Sequence, residues 1–393
     1  MKRISEWFVV VCFLAFLVGA MAATVTREEE TYSFFENRNL AARPVYSAQA
    51  DGDGSYAGAW ERYLSDHASG RNTLLKLKTA LDLAARRPKV NDVVVTRERL
   101  LPYLPPEQVD PADVSARAEA MADNLSRIRD TVEGYGGAYC YAAVPCQYAY
   151  FSNEYPWYLN SRARYTRLSL EALSAALERR DVDFLDLGSA FDALGHPEEF
   201  GSRVDNHYSL SGAFAAYRIL LEHVNARSGL DLPVLGREDV TFRELPNDYL
   251  GSRERKLLAL ERREERLSIL EPVQPVPFTR FDNGNETAPT VYALPANEWE
   301  TLTYSLYMGG DIAHTVIRTG REELPTVLLY GDSFTNAMEC VLYLSCDEMH
   351  ALDLRHYRDM SLEEYILQVK PDLVVCLRDY EALLSLEYNG AGA

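Results

Sequence analysis

Paired cysteines are the first thing this chain lacks. Of its 6 cysteines, Cys12 sits inside an apolar run, and Cys140, Cys146, Cys340, Cys346 and Cys376 form neither a CxxC pair nor a regular framework. This argues against a disulfide-stapled scaffold and against a structural zinc site, so no metal and no cofactor is expected. Cys140 and Cys376 lie in apolar, strand-like runs and read as core; a Cys340–Cys346 bridge is left open. Positive charge is also scarce: 40 Lys and Arg face 59 Asp and Glu, a net charge of −19. Such a surface repels phosphate backbones, which argues against DNA or RNA as a partner. No internal repeat or low-complexity tract occurs. With 393 residues, 47% hydrophobic and 25% charged, the composition is globular, enough for one large domain or two ordinary ones.

What the chain does have is one long apolar run, Trp7 to Ala23, behind Lys2 and Arg3. Basic residues stay on the cytoplasmic side, so the rest of the chain is expected outside the cytoplasm, in the cell envelope or secreted. Residues 1–23 read as a signal peptide, with Ala20-Met21-Ala22 fitting a cleavage site, or as an uncleaved signal-anchor helix. The length of the run favours the anchor.

Residues 24–58, polar and containing Gly and Asp, read as a tether, and 59–393 as one α/β domain. Apolar spacing predicts helices over Ala59–Ala85, Pro111–Val132, Ser161–Arg180 and Ser211–Ala226, and strands at Val93–Thr96, Ala138–Val144 and Asp183–Leu187. The last third alternates more cleanly: strand Thr326–Tyr330, helix Phe334–Leu344, strand Glu348–Leu354, helix Leu362–Val369, strand Leu373–Leu377. Strands alternating with helices predict a mainly parallel sheet with helices on both faces. The interval at about 240–301 breaks this pattern with a charged helix (Arg253–Leu267) and prolines 272, 275 and 277, and reads as an insertion or lid.

The chemistry concentrates in two short segments. Val327-Leu328-Leu329-Tyr330 leads into Gly331-Asp332-Ser333 and then a helix, which would put Ser333 at the carboxyl end of a strand and at a helix N-terminus. There an oxyanion formed by attack of the hydroxyl would be stabilised. An ordinary turn with an N-cap serine is the alternative. A serine needs a base, and among 7 histidines His207 stands out in Asp205-Asn206-His207-Tyr208-Ser209. Residues two apart in an extended segment face the same side, so Asp205 can hold one imidazole nitrogen while the other takes the serine proton. A loop pair capping the following helix is the alternative. His67, His314, His350 and His356 also have an Asp nearby, but not at that spacing.

The order Asp-x-His-aromatic-Ser-x-x-Gly-Ala, then much later strand-Gly-Asp-Ser-Phe, resembles the SGNH-type alginate O-acetyltransferase proteins, and more closely the bacterial DHHW family. Further segments agree: Glu36-Asn37-Arg38, Tyr63 to Asp66 with Arg71, Gly309-Gly310, and Asp353-x-Arg355-x-Tyr357. The resemblance implies an SGNH-hydrolase-like (flavodoxin-like) fold and a catalytic triad of Ser333, His207 and Asp205. Two positions depart: Asn206 stands where the namesake motif has its first His, and Tyr208 where it has Trp, which keeps an aromatic wall.

Further oxyanion donors are sought at Gly309, Gly310 and Asn336. Arg355 would orient substrate or pair with Asp353. The aromatics Tyr148, Tyr150, Phe151, Tyr155, Trp157 and Tyr158 would stack on sugars or pack against the body. The resemblance implies serine-dependent O-acyl transfer, in particular O-acetyl transfer, onto an envelope or secreted polysaccharide, with a membrane-bound O-acyltransferase supplying the acyl donor. A carbohydrate O-acetylesterase with the same triad, and a non-catalytic membrane-tethered glycan-binding or assembly protein, are the alternatives.

Overall fold

The computed structural model describes residues 2–26, 28–45, 55–105, 109–160 and 162–390. By contacts the chain divides into a unit of Met1–Asn91 with Glu254–Arg262, and a unit of Asp92–Arg253 with Arg263–Ala393.

The first unit opens with α1 (Lys2–Thr26). Its stretch Trp7–Thr26 is 20 residues long, has a mean hydropathy of 2.6 and is long and apolar enough to cross a membrane. Within the segment expected to be a tether, Tyr32–Ser33 pairs antiparallel with Arg38–Asn39. Arg38 donates two hydrogen bonds to the Asp66 carboxylate, at 2.8 and 2.5 Å, and Arg71 binds Glu36 at 2.8 Å. Residues 46–54 of that stretch lie outside the described residues. The apolar spacing over Ala59–Ala85 resolves into two helices, α2 (Tyr56–His67) and α3 (Arg71–Ala84). The break falls at Gly70, whose φ of 80° suits a residue without a Cβ.

The second unit is built on an eight-stranded sheet. Its strands in chain order are β1 (Ala138–Val144), β2 (Phe184–Asp186), β3 (Thr279–Asp282), β4 (Asn285–Thr287), β5 (His314–Arg318), β6 (Val327–Gly331), β7 (Glu348–Asp353) and β8 (Leu373–Asp379). Their spatial order is β4-β3-β5-β7-β6-β8-β1-β2. Every pairing from β7 to β2 is parallel, and β4, β3 and β5 extend the sheet antiparallel. The inner strands β1, β6 and β8 are buried on both faces, so they read as apolar runs and not as alternation.

Helices cover both faces. On one, α4 (Pro111–Glu133) packs on α5 (Ala163–Glu178) and on α8 (Leu362–Val369). Met121, Leu125, Ile128 and Leu173 there meet Tyr139, Tyr141, Leu328, Tyr330 and Val374 of the sheet. On the other, α6 (Leu210–Ser228) packs on α7 (Thr335–Leu342). Asp110 caps α4 by accepting from the Ala112 N–H, with Pro111 in the first turn, and Ser209 caps α6 by accepting from the Gly212 N–H.

Two expectations need correction. The charged helix of Arg253–Leu267 is a single turn, Ser252–Lys256, because Leu258 and Ala259 take φ of 56° and 57° and end it. The interval at 240–301 is not all insertion. Val240–Glu244 and Ser268–Pro272 do pair with each other off the central sheet, but the next segments are its strands β3 and β4, with β4 at the edge. All the cysteines are free, Cys340 and Cys346 included.

Candidate active site

β6 lies inside the sheet between two parallel partners, β7 and β8. Its last residue, Gly331, has no room for a side chain: a Cβ there would lie 2.1 Å from the Leu377 carbonyl oxygen of β8. The turn that follows is fastened by Asp332. One carboxylate oxygen accepts from the Phe334 N–H at 3.0 Å, and the other from Arg378 at 2.9 Å. Arg378 sits on β8 and also donates to the Tyr388 carbonyl. The turn thereby holds Ser333 at the carboxyl edge of the sheet, just before α7.

The second segment converges on it across a sequence separation of 126 residues. His207 Nε2 lies 2.7 Å from Ser333 Oγ, and His207 Nδ1 lies 2.6 Å from Asp205 Oδ1. With Nδ1 donating to the carboxylate, Nε2 is the acceptor for the serine hydroxyl. The loop carrying the pair is fixed by the Ser202 hydroxyl, which accepts from the Asp205 N–H at 3.0 Å. It is also fixed by Gly212, where a Cβ would lie 2.4 Å from the Phe200 carbonyl oxygen. The Gly of the Ser-x-x-Gly-Ala pattern is therefore a close-approach position.

Asp205 is buried. Burial alone would push its carboxyl up. The hydrogen bond and charge of His207, the Ser252 N–H at 2.6 Å and the nearby Arg253 outweigh that and hold it well below the usual carboxylate range. The carboxylate is ionised wherever the imidazole would need it.

Sequence reasoning missed three of the site's supports. The Tyr304 ring lies flat on the imidazole of His207, with centroids 3.7 Å apart. Ser252 donates its N–H to Asp205, and its hydroxyl binds Asn206 at 2.9 Å. Arg378 anchors the turn residue Asp332 from 46 positions away. No spacing rule links any of these to the motif residues they touch.

Tyr208 packs its ring on Phe334, and its hydroxyl donates to the Phe334 carbonyl at 2.5 Å, so it braces the turn. Asn336 is buried and gives one amide N–H to Asp311 at 3.2 Å. The Gly310 N–H is occupied by the Tyr307 carbonyl. Met308, Gly309 and Gly310 all have positive φ, so the Gly-Gly segment is a tight turn. Arg355 binds Asp353 at 2.6 Å and Asp311 at 2.9 Å, the ion-pair use. Of the aromatic cluster, Tyr148, Tyr150, Phe151 and Tyr155 are buried, so they pack the body, while Trp157 and Tyr158 stay exposed. Beside Tyr208 and Tyr304 opens a cavity of about 600 Å³ whose lining includes Glu198, Glu199, Glu264 and Glu265.

A strand-turn-helix serine at the edge of a largely parallel sheet, with an Asp-x-His loop folded onto it, defines an SGNH-hydrolase-like α/β domain. The comparisons agree. The family model described as "SGNH hydrolase-like domain, acetyltransferase AlgX" matches residues 103–285, a stretch that holds Asp205 and His207 and ends before Ser333. No curated protein matches the chain. Among solved structures, Bacillus cereus PatB1 with a sulfonyl adduct superposes with a TM-score of 0.64 at 18% identity, covering 76% of this chain and 98% of that one. A DHHW family protein from Eubacterium siraeum superposes with a TM-score of 0.56 at 17% identity, covering 77% and 95%. The resemblance read from the motifs, to DHHW proteins and to SGNH-type alginate O-acetyltransferase proteins, is thus met by a family model and by the fold.

Proposed function

We propose that this protein is an extracytoplasmic, serine-dependent O-acyltransferase that moves an acyl group, in the first place acetyl, onto a hydroxyl of an envelope or secreted polysaccharide. The observation that carries the reading is His207 held between Asp205 and Ser333 at hydrogen-bond distance on both sides. Ser333 Oγ attacks the acyl carbon while His207 Nε2 takes its proton, and the oxyanion forms at the turn before α7. Collapse expels the donor's oxygen, which leaves with the proton from His207. The acceptor hydroxyl then attacks the acyl-serine, gives its proton to His207, and the serine is regenerated. Asp205 stabilises the imidazolium in both halves.

The acyl donor must reach the outer face, because acetyl-coenzyme A is cytoplasmic. A membrane-bound O-acyltransferase is therefore the proposed partner, and residues 1–23 are proposed to keep the chain at the membrane or direct it there. Support for acetyl transfer comes from the description of the matched family.

The test is reaction of the full chain with a sulfonyl fluoride and turnover of a chromogenic acetyl ester with and without acceptor glycans. Stoichiometric modification at Ser333, and ester turnover lost in both Ser333→Ala and His207→Ala, are expected. The double variant should be scarcely worse than either single one, since such residues act as a unit. Acetyl appearing on the glycan supports the transferase. Release as acetate regardless of glycan identifies a carbohydrate esterase with the same triad. No modification and no turnover leave the non-catalytic glycan-binding or assembly reading.

A further inference from the structure

Helix α3 has its apolar stripe on the outside. Thr79 is buried, and Leu75 and Leu83 on the same face are half-buried. On the opposite face Leu74, Leu77 and Leu81 are 65%, 55% and 61% exposed. Their spacing of three and four residues stacks them in one row along the helix. A soluble helix has the reverse pattern, with leucines inward and polar residues outward. Three leucines in a row on the surface require something to cover them.

The surrounding charge is equally out of character. In a chain of net charge −19, residues 71–89 hold six basic side chains, Arg71, Lys76, Lys78, Arg86, Arg87 and Lys89, against one acid, Asp82. Asp82 binds Lys78 at 3.0 Å and Arg87 at 3.1 Å, and Glu36 binds Arg71. The helix and the turn after it stay positive, although Glu28, Glu29 and Glu30 follow α1, and on the helical wheel Arg71 and Lys78 lie together along one side of the leucine row. The Lys76 ammonium projects from another side, over the Phe35 ring at 5.2 Å.

The third observation is position. Thr24, in the last turn of α1, accepts a hydrogen bond through Oγ1 from the Ser69 N–H at 3.0 Å. Ser69 immediately precedes Gly70, the N-cap of α3. The start of α3 is therefore tied to the end of the helix whose Trp7–Thr26 stretch is long and apolar enough to cross a membrane. Leucines outward, cations beside them and a junction at the end of an apolar helix describe an interfacial helix.

We propose that α3 lies on the bilayer that α1 enters, with Leu74, Leu77 and Leu81 among the upper acyl chains and its cations against anionic lipid headgroups. The occupant of the leucine row is the lipid surface itself. The arrangement would fix the first unit at a set height and orientation at the membrane, which a free tether would not.

The test uses the full chain carrying Cys12→Ser, so that the remaining native cysteines are buried. An environment-sensitive fluorophore is placed at Leu77→Cys or at Lys76→Cys, and the protein is reconstituted into phosphatidylcholine vesicles with or without phosphatidylglycerol. The probe at 77 is expected to shift to the blue and to be quenched by lipids brominated near the glycerol backbone, more strongly with phosphatidylglycerol. The probe at 76 should stay water-exposed. Adding Leu74→Glu and Leu81→Glu to the 77 probe should abolish the shift, and these surface changes leave the core intact. A probe at 77 that remains in water in anionic vesicles overturns the proposal. So does one that shifts to the blue without lipid quenching, which would mean a protein partner or a second copy covers the row.

Discussion

Tyr304 and His207 lie face to face, with ring centroids 3.7 Å apart and planes within 4° of parallel. The stack closes one side of the imidazole, Phe334 flanks another at 5.0 Å, and Asp205 and Ser333 hold the two nitrogens. The imidazole is thus restrained in rotation and in tilt, as the proposed base would need to be before substrate arrives.

A first prediction follows from that stack. The Tyr304 hydroxyl is buried and has no hydrogen-bond partner among the described residues. Tyr304→Phe should therefore leave ester turnover nearly unchanged, while Tyr304→Ala should cost roughly tenfold in kcat/KM, the order of one aromatic contact. Steady-state kinetics on an acetyl ester check this. Equal losses in the two variants would move the importance from the ring to the hydroxyl.

A second concerns Asp205. Its folded pKa is lowered, so its stabilisation is present above the usual carboxylate value and is lost as pH falls through that lowered value. Asp205→Asn should be less stable than the parent at pH 7, and the gap should narrow in denaturation curves taken at progressively more acid pH. Turnover should fall by roughly 10³–10⁴-fold, since an amide no longer selects the tautomer with Nε2 free.

A third concerns Glu339 on α7. Its carboxyl is buried and accepts from the Thr335 hydroxyl at 2.6 Å, and burial pushes its pKa up to about 7. For a carboxyl shifted upward, stability is greatest below its ordinary value and is lost as pH rises through the shifted one. Glu339→Gln keeps an acceptor for Thr335 and removes the ionisation. It should gain stability over the parent at pH 8, by an amount on the order of 3 kcal/mol, and match it near pH 4. Urea unfolding at the two pH values measures the difference. A variant equally destabilised at both would show that the carboxyl is ionised in the fold.

A fourth concerns Gly331. The Leu377 carbonyl occupies the space a methyl group would need. Gly331→Ala should destabilise by about 1–3 kcal/mol or more, and should slow sulfonyl fluoride labelling of Ser333 beyond what lost stability explains, because β6 and the turn must shift. Unchanged labelling in a folded variant would show that the turn tolerates the displacement.

Much of the scaffold was legible in the sequence because it is written in local periodicity. The runs Ala138–Val144 and Leu362–Val369 coincide with β1 and α8, and the Gly-Asp-Ser turn falls between β6 and α7 as its strand-turn-helix pattern predicts. A parallel strand buried on both faces is a continuous apolar run, a helix has its own spacing, and Pro111 and Ser209 mark helix starts. The antiparallel strands Thr279–Asp282 and Asn285–Thr287 left no such mark. They are short and only partly buried, and they stand among prolines and glycine turns.

The sequence by itself determined the pieces of the candidate site: a serine at a strand end, and an aspartate and a histidine two apart with side chains on one side. Only the tertiary structure decided that these meet, and with what company. The His207–Ser333 contact spans 126 positions and Arg378–Asp332 spans 46, and no local rule selects either pair. It also decided that Tyr148, Tyr150, Phe151 and Tyr155 are packing while Trp157 is surface. The reason is the range of the forces that carry each kind of information. Backbone sterics and hydrophobic period act over a few residues and can be read in order along the chain. The choice of sheet neighbours, ring stacks and ion pairs is made jointly by all the surfaces that must be buried at once.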